Sequence, residues 1–272
     1  MSFDGLRVLS LESRRASEIE TLIRRAGGDP LVAPSMRETP LEQNFQALSF
    51  AERLFENQFD MVILLTGVGT RLLNQVIETR WPPDTFAEAL RRITVVARGP
   101  KPMAVMREWD VPVAILVPEP NTWREILAAT EDRPEKRVAV QEYGRPSEEL
   151  IDGLTARGAE VTSVPVYQWD LPHDLGPLRE AVRRLAAGEI DVLLLTSSVQ
   201  FEHLLRIAAE MGVEDAVRRA CRGIVIASIG PTTSETLAEL DLPADFEPSH
   251  PKMGLLVNET AQQARRILQS KQ

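Results

Sequence analysis

The sequence predicts an α/β fold with parallel sheets, and three observations carry that expectation. Short apolar runs alternate with longer segments of helical period; the runs are continuous rather than alternating with polar residues; and the whole pattern occurs twice. A strand buried on both faces needs apolar side chains at every position, which is what a continuous run supplies.

The repeat appears in three blocks. LRVLSLESRRASEIETLIRRAGGDPLVAP, from Leu6, echoes KRVAVQEYGRPSEELIDGLTARGAEVTSVP, from Lys136, aligning Arg7 with Arg137, Val8 with Val138, Arg15 with Arg145 and Gly28 with Gly158. FDMVILLTGVGTRLL, from Phe59, echoes IDVLLLTSSVQFEHLL, from Ile190. ITVVARGP, from Ile93, echoes GIVIASIGP, from Gly223, and sets Gly99-Pro100 on Gly230-Pro231. The offset stays near 130 residues throughout, so the blocks are one duplicated unit.

In the first copy, residues 8–11, 61–66, 94–97 and 114–117 read as strands; in the second, residues 138–141, 161–166, 192–196 and 224–229 do. Residues 16–26, 41–56, 147–156, 178–187 and 253–268 read as helices between or after them. Strand followed by helix followed by strand implies right-handed crossovers. The matching segments 34–40 and 165–172 are proline-rich and lack helical period. Read as crossovers, they put the domains out of phase with the repeats. Residues 1–36 and 170–272 then form one discontinuous α/β domain. Residues 37–169 form an inserted one that includes two hinge strands, with a cleft between the lobes.

Composition narrows the function classes. Of 272 residues, 43% are hydrophobic and 26% charged, the balance of a chain with real cores. The net charge of −9 and the lack of a basic block argue against nucleic-acid and membrane-surface partners. The single cysteine, Cys221, excludes a disulfide framework and reads as a small apolar residue near a helix end. The opening stretch does not read as a signal peptide and no apolar run approaches membrane-spanning length, so a cytoplasmic location is expected. His173, His203 and His250 show no metal-ligand spacing and read as surface or packing residues.

In open parallel sheets, ligands sit beyond the carboxyl ends of strands, where helix starts present unpaired N–H groups. Five segments have fitting chemistry there: Ser13-Arg14-Arg15, Thr66-Gly67-Val68-Gly69, Gly99-Pro100-Lys101, Thr196-Ser197-Ser198 and Gly230-Pro231-Thr232-Thr233. Glycine admits close approach to the backbone, proline starts a helix, and Ser or Thr either caps it or turns a hydroxyl to an anion. Taken singly, each segment also reads as a plain cap or turn. Thr66-Gly67-Val68-Gly69 fails the dinucleotide fingerprint, since Leu72 stands at the third glycine position, and no GxxxxGK[ST] occurs. Tyr143, Gly144 and Arg145 follow the first strand of the second copy, and Tyr167 lies in the second crossover. A tyrosine there is either a hydrogen-bond donor and weak acid or an amphipathic packing residue.

Together these residues resemble the uroporphyrinogen-III synthase family. IVIASIGPTTSETLAELDLPADFEPSHPKMGLLVNET, from Ile224, is similar to that family's strand, Gly-Pro-Thr helix start, helix, short strand and Pro-rich approach to the last helix. DVLLLTSSVQFEHLL, PVYQW from Pro165, and LESRRASEIETLIRRAGGDPLVAP resemble its other segments, so the likeness spans the chain.

The resemblance implies two Rossmann-like or flavodoxin-like domains joined by a two-stranded hinge, and a cytoplasmic, monomeric, cofactor-free lyase of heme and tetrapyrrole biosynthesis. It implies no metal. Its substrate would be hydroxymethylbilane, passed on by the preceding enzyme and held in the cleft. The last pyrrole ring is inverted through a spiro intermediate, water is lost, and the macrocycle closes. Arg14, Arg15, Lys101 and Arg145 are then candidate partners for substrate carboxylates. Backbone and hydroxyl groups of Thr66, Gly67, Val68, Gly99, Tyr143, Gly144, Thr196, Ser197, Ser198, Gly230, Thr232 and Thr233 join them. Tyr167, a phenol that stays protonated at neutral pH, would assist departure of the hydroxyl. Lys101-Pro102 stands where many relatives carry a threonine, which makes that loop's contacts a departure from the pattern. Two rivals remain at this point: a two-lobed small-anion sensor without catalysis, and a nucleotide-dependent enzyme weakened by the missing phosphate motifs.

Overall fold

A computed structural model describes residues 2–40, 44–142, 144 and 147–271. The chain runs β1 (Arg7–Ser10), α1 (Ala16–Arg25), β2 (Asp29–Val32), β3 (Arg37–Pro40), α2 (Phe45–Phe55), β4 (Met61–Leu64), α3 (Gly67–Glu78), α4 (Thr85–Leu90) and β5 (Thr94–Ala97). It continues through α5 (Pro100–Glu108), β6 (Ile115–Leu116), α6 (Trp123–Ala129), β7 (Arg137–Gln141), α7 (Glu148–Ala156), β8 (Glu160–Val164) and β9 (Tyr167–Asp170). It closes with α8 (Gly176–Ala186), β10 (Val192–Leu195), α9 (Ser198–Glu210), α10 (Glu214–Gly223), β11 (Val225–Ser228), α11 (Pro231–Glu239) and α12 (Met253–Ser270).

Two compact units result: Met1–Arg37 with Asp170–Gln272, and Glu38–Trp169. The chain passes between them within β3 and β9, which pair with each other in a two-stranded sheet. Beside this passage Arg37 Nη2 meets Asp170 Oδ2 at 2.8 Å, and Arg37 Nε donates to the Leu171 carbonyl at 2.9 Å.

The first unit holds a parallel sheet in the order β11-β10-β1-β2. Because successive strand residues face opposite sides, its apolar runs feed two cores. Leu9, Leu193, Leu195 and Ile226 pack on one face with Leu178 and Val182 of α8, Phe201 and Leu204 of α9, and Val217 of α10. Val8, Val192, Leu194 and Val225 pack on the other with Ile19 and Ile23 of α1 and Leu256 and Val257 of α12. All four residues of β10 and of β11 are buried, as strands covered on both faces require. At the outer edge of β11, Ala227 makes an isolated parallel bridge to Phe246.

The second unit holds a parallel sheet in the order β6-β5-β4-β7-β8. Val62, Leu64, Val95 and Ala139 meet Phe50 of α2, Leu73 of α3, Phe86 of α4 and Met106 of α5. Met61, Ile63, Val96, Val138 and Val140 meet Ile126 of α6 and Leu150 and Leu154 of α7. Truncating one such leucine to alanine costs about 2–5 kcal/mol in comparable cores.

Element limits differ from the sequence expectation in instructive places. The run expected as strand to residue 66 ends at Leu64, because the Thr66 N–H is taken by the Gln141 side chain at 3.3 Å. The strand expected at 114–117 is a two-residue edge strand, paired on one side with β5. Of the helix expected at 41–56, residues 41–43 lie outside the described residues, and α2 begins at Phe45.

Candidate functional site

Parallel strands with helices after them place every strand's carboxyl end beside a helix start, so the candidate loops gather by topology in each unit. Beyond β1, the Glu12 carboxylate accepts the Arg15 N–H on Oε1 at 3.1 Å. Its other oxygen accepts the hydroxyl of Thr196, just beyond β10. Ser13 Oγ accepts the N–H groups of Ser35 (3.2 Å) and Met36 (3.1 Å), pinning the loop that leaves β2. Arg14 and Arg15 are exposed, and the Arg15 guanidinium is engaged by Glu18. That pair is solvent-screened and worth little, so it leaves Arg15 open to exchange for an anionic ligand.

At β10's end, Gln200 clamps Thr196 with both atoms of its amide: Oε1 accepts the Thr196 N–H at 2.9 Å, and Nε2 donates to Thr196 Oγ1 at 2.8 Å. The Thr196 hydroxyl is therefore spent on protein partners. Ser197 is the N-cap of α9 and makes no side-chain cap, while Ser198 is buried in the first turn. At β11's end, Gly230 caps α11 with an extended backbone and Pro231 opens it, which makes the Thr232 N–H the helix's first donor. Thr232 is half-buried and Thr233 buried. The Thr233 and Ser234 N–H groups reach back to the Gly230 carbonyl at 3.0 and 3.1 Å.

In the second unit Thr66 is the N-cap of α3, and its hydroxyl accepts the Gly69 N–H at 3.0 Å. The close approaches that glycine permits here are to protein. A Cβ on Gly67 would lie 2.8 Å from the Lys101 carbonyl oxygen, and one on Gly69 would lie 2.1 Å from Gln141 Nε2. So the loops after β4 and β5 touch. Val68 is half-buried, Lys101 is exposed, and Gly99 lies buried with Asn121 against it. Past β7, Gly144 has φ +87° and packs under Trp169, whose indole a Cβ would strike at 2.4 Å; only glycine fits. Tyr143 and Arg145 lie outside the described residues, and Tyr167 is the first residue of β9.

Glu142 is buried beside this loop. Burial pushes its carboxyl above the usual range, against hydrogen bonds from Ser163 and the Ser147 N–H. Of the histidines, His203 is buried with Nδ1 2.7 Å from the Ser35 carbonyl, while His173 and His250 are exposed. Among the described residues, no three His, Cys, Asp or Glu side chains gather as metal ligands, and no helix is long and apolar enough to cross a membrane.

Glu12, Gln141 and Gln200, none of them among the candidate residues read from the sequence, organise these loops. One signal was present: Glu12 and Glu142 stand at the same offset as the aligned Arg7 and Arg137. The glutamines gave none: Gln141 acts across to the loop after β4, and Gln200 folds back from the first turn of α9 onto Thr196, four residues before it.

The family model described as Uroporphyrinogen-III synthase HemD matches residues 17–258. A Bacillus subtilis (strain 168) protein, "Uncharacterized protein YjjA", is 28% identical over 261 residues, covering 94% of this chain and 95% of its own. A "Putative uroporphyrinogen-III synthase" from Methanothermobacter thermautotrophicus is 30% identical over 230 residues, covering 83% and 85%. Among solved structures, a mutant uroporphyrinogen III synthase from the extremely thermophilic bacterium Thermus thermophilus superposes with a TM-score of 0.70 at 22% identity, covering 98% of this chain and all of that one.

Proposed function

This chain belongs to the uroporphyrinogen-III synthase family, and from that premise we propose that it closes hydroxymethylbilane to uroporphyrinogen III. The observation that carries the reading is the family match across residues 17–258, joined to helix starts at the carboxyl ends of β10, β11, β4 and β5. The reaction needs little from the protein beyond placement. The pyrrole nitrogen assists loss of the hydroxyl, and the resulting electrophile must meet the terminal ring at the carbon that inverts it. Positioning and fixed dipoles supply that selectivity.

In this proposal the acetate and propionate groups are held by N–H donors at the starts of α9, α11, α3 and α5, with Arg14, Arg15, Lys101 and Arg145 as side-chain partners. Tyr167 donates a proton to the departing hydroxyl. The enzyme is a cyclising hydro-lyase, acting as a cytoplasmic monomer that receives its unstable substrate from the preceding enzyme. Consumption of hydroxymethylbilane by the purified protein tests the activity. Loss of bilane at the spontaneous rate, whatever the protein concentration, would sink it.

A further inference from the structure

Each parallel sheet reverses its strand order once: between β1 and β10 in one unit, and between β4 and β7 in the other. Such a reversal opens a crevice beyond the strands' carboxyl ends. The two crevices carry opposite chemistry. Across the β4/β7 crevice reaches the neutral amide of Gln141, to the Thr66 N–H. The glutamate beside it, Glu142, is buried and turned toward Ser163 of β8, on the side away from β4.

Across the β1/β10 crevice reaches a carboxylate instead. Glu12, the repeat counterpart of Glu142, is half-buried and held by two neutral donors, the Thr196 hydroxyl and the Arg15 N–H. The Arg15 guanidinium that feels its charge is gripped by Glu18. Duplication thus placed a glutamate beside both crevices, and of the two only Glu12 bridges the strands that flank its reversal, from the end of β1 to Thr196 beyond β10. A partly desolvated carboxylate repels acetate and propionate and attracts an N–H donor that carries positive charge.

We infer that Glu12 is the counter-charge for the pyrrole ring that loses its hydroxyl, an inference that rests on the function proposed above. The C–O bond breaks with its electron pair on oxygen, which takes a proton from the phenol donor and leaves as water. The nitrogen lone pair forms the new double bonds, so the ring N–H becomes positive and meets the Glu12 carboxylate. Ring closure by carbon attack cancels that charge, and the closing ring's lost proton restores the donor. Before the C–O bond breaks the pyrrole nitrogen carries no such charge, so the carboxylate favours the transition state over the substrate.

The test is Glu12→Gln, which keeps the shape and lets Thr196 Oγ1 accept where it now donates. The expected result is a kcat at least tenfold lower, KM within twofold of wild type, and an unchanged unfolding midpoint. Glu12→Asp, which retains the charge on a shorter arm, recovers part of the loss even where its midpoint falls. A kcat for Glu12→Gln within twofold of wild type overturns the inference, as does a rise in KM alone, or equal loss in both variants. Wild-type protein that forms no type III product sinks the function reading and this inference with it. An active wild type with an unaffected Glu12→Gln sinks the inference alone.

Discussion

Arg7 holds Asp191 at the amino ends of β1 and β10 through three hydrogen bonds, from its backbone N (2.8 Å), Nε (2.9 Å) and Nη2 (2.7 Å). The duplication carries a second copy of this grip. Arg137 meets Asp60 with its backbone N at 3.0 Å and Nε at 3.1 Å, and with Nη2, where β7 lies beside β4. In both units the pair ties together the strands that flank the sheet's reversal, at the end opposite the candidate site.

This grip makes stability depend on acid. The Arg137 side chain and backbone hold the Asp60 carboxyl at about 2, below its ordinary 3.8. A depressed carboxyl stabilises the fold above its unfolded pKa, and that contribution is lost as pH falls through the folded value. Asp60→Asn should therefore cost roughly 1 kcal/mol at neutral pH, allowing for solvent screening of a half-exposed pair. The gap to wild type should narrow between about pH 4 and pH 2. Urea unfolding at pH 7, 4 and 2.5 checks this; a gap independent of pH would contradict it.

A second expectation concerns the loop between β4 and α3. Gly69→Ala drives a methyl into Gln141 Nε2, displacing the amide from the Thr66 N–H. The cost should be about 1–3 kcal/mol, the range of overpacking. Thr66→Val removes the α3 cap and should cost about 1 kcal/mol. Denaturant midpoints decide both, and Gly69→Ala at wild-type stability would show that the loop yields freely.

Cys221 should be silent toward thiol reagents while the protein is folded. It is fully buried in the first unit's core, and burial pushes its thiol up to about 12, so thiolate is scarce at neutral pH. Labelling with a thiolate-selective reagent should track global unfolding. Rapid modification of native protein would contradict the packing described.

The sequence carried the architecture further than it carried the site. Continuous runs such as 61–65 and 192–195 announce strands covered on both faces, and Thr66, Thr196 and Gly230 stand out as candidate residues at or just past strand ends. What Thr196 does was not legible. Its hydroxyl goes to Glu12, 184 residues away in the chain, and such pairings arise only when β1 and β10 become neighbours. Gly67 and Gly69 looked like room for a ligand; in the fold that room is filled by the Lys101 backbone and Gln141.

For Tyr167, the proposed role predicts that Tyr167→Phe lowers turnover at least tenfold, within the range for lost proton transfer, and leaves the unfolding midpoint in place. Unchanged turnover would remove the phenol from the mechanism while leaving the activity standing.

The most direct measurement is the identity of the cyclic product. Hydroxymethylbilane incubated with the purified chain, then oxidised and separated into porphyrin isomers, should give predominantly type III, with its share rising with protein concentration until spontaneous closure is outrun. Type I alone at every protein concentration would contradict the account.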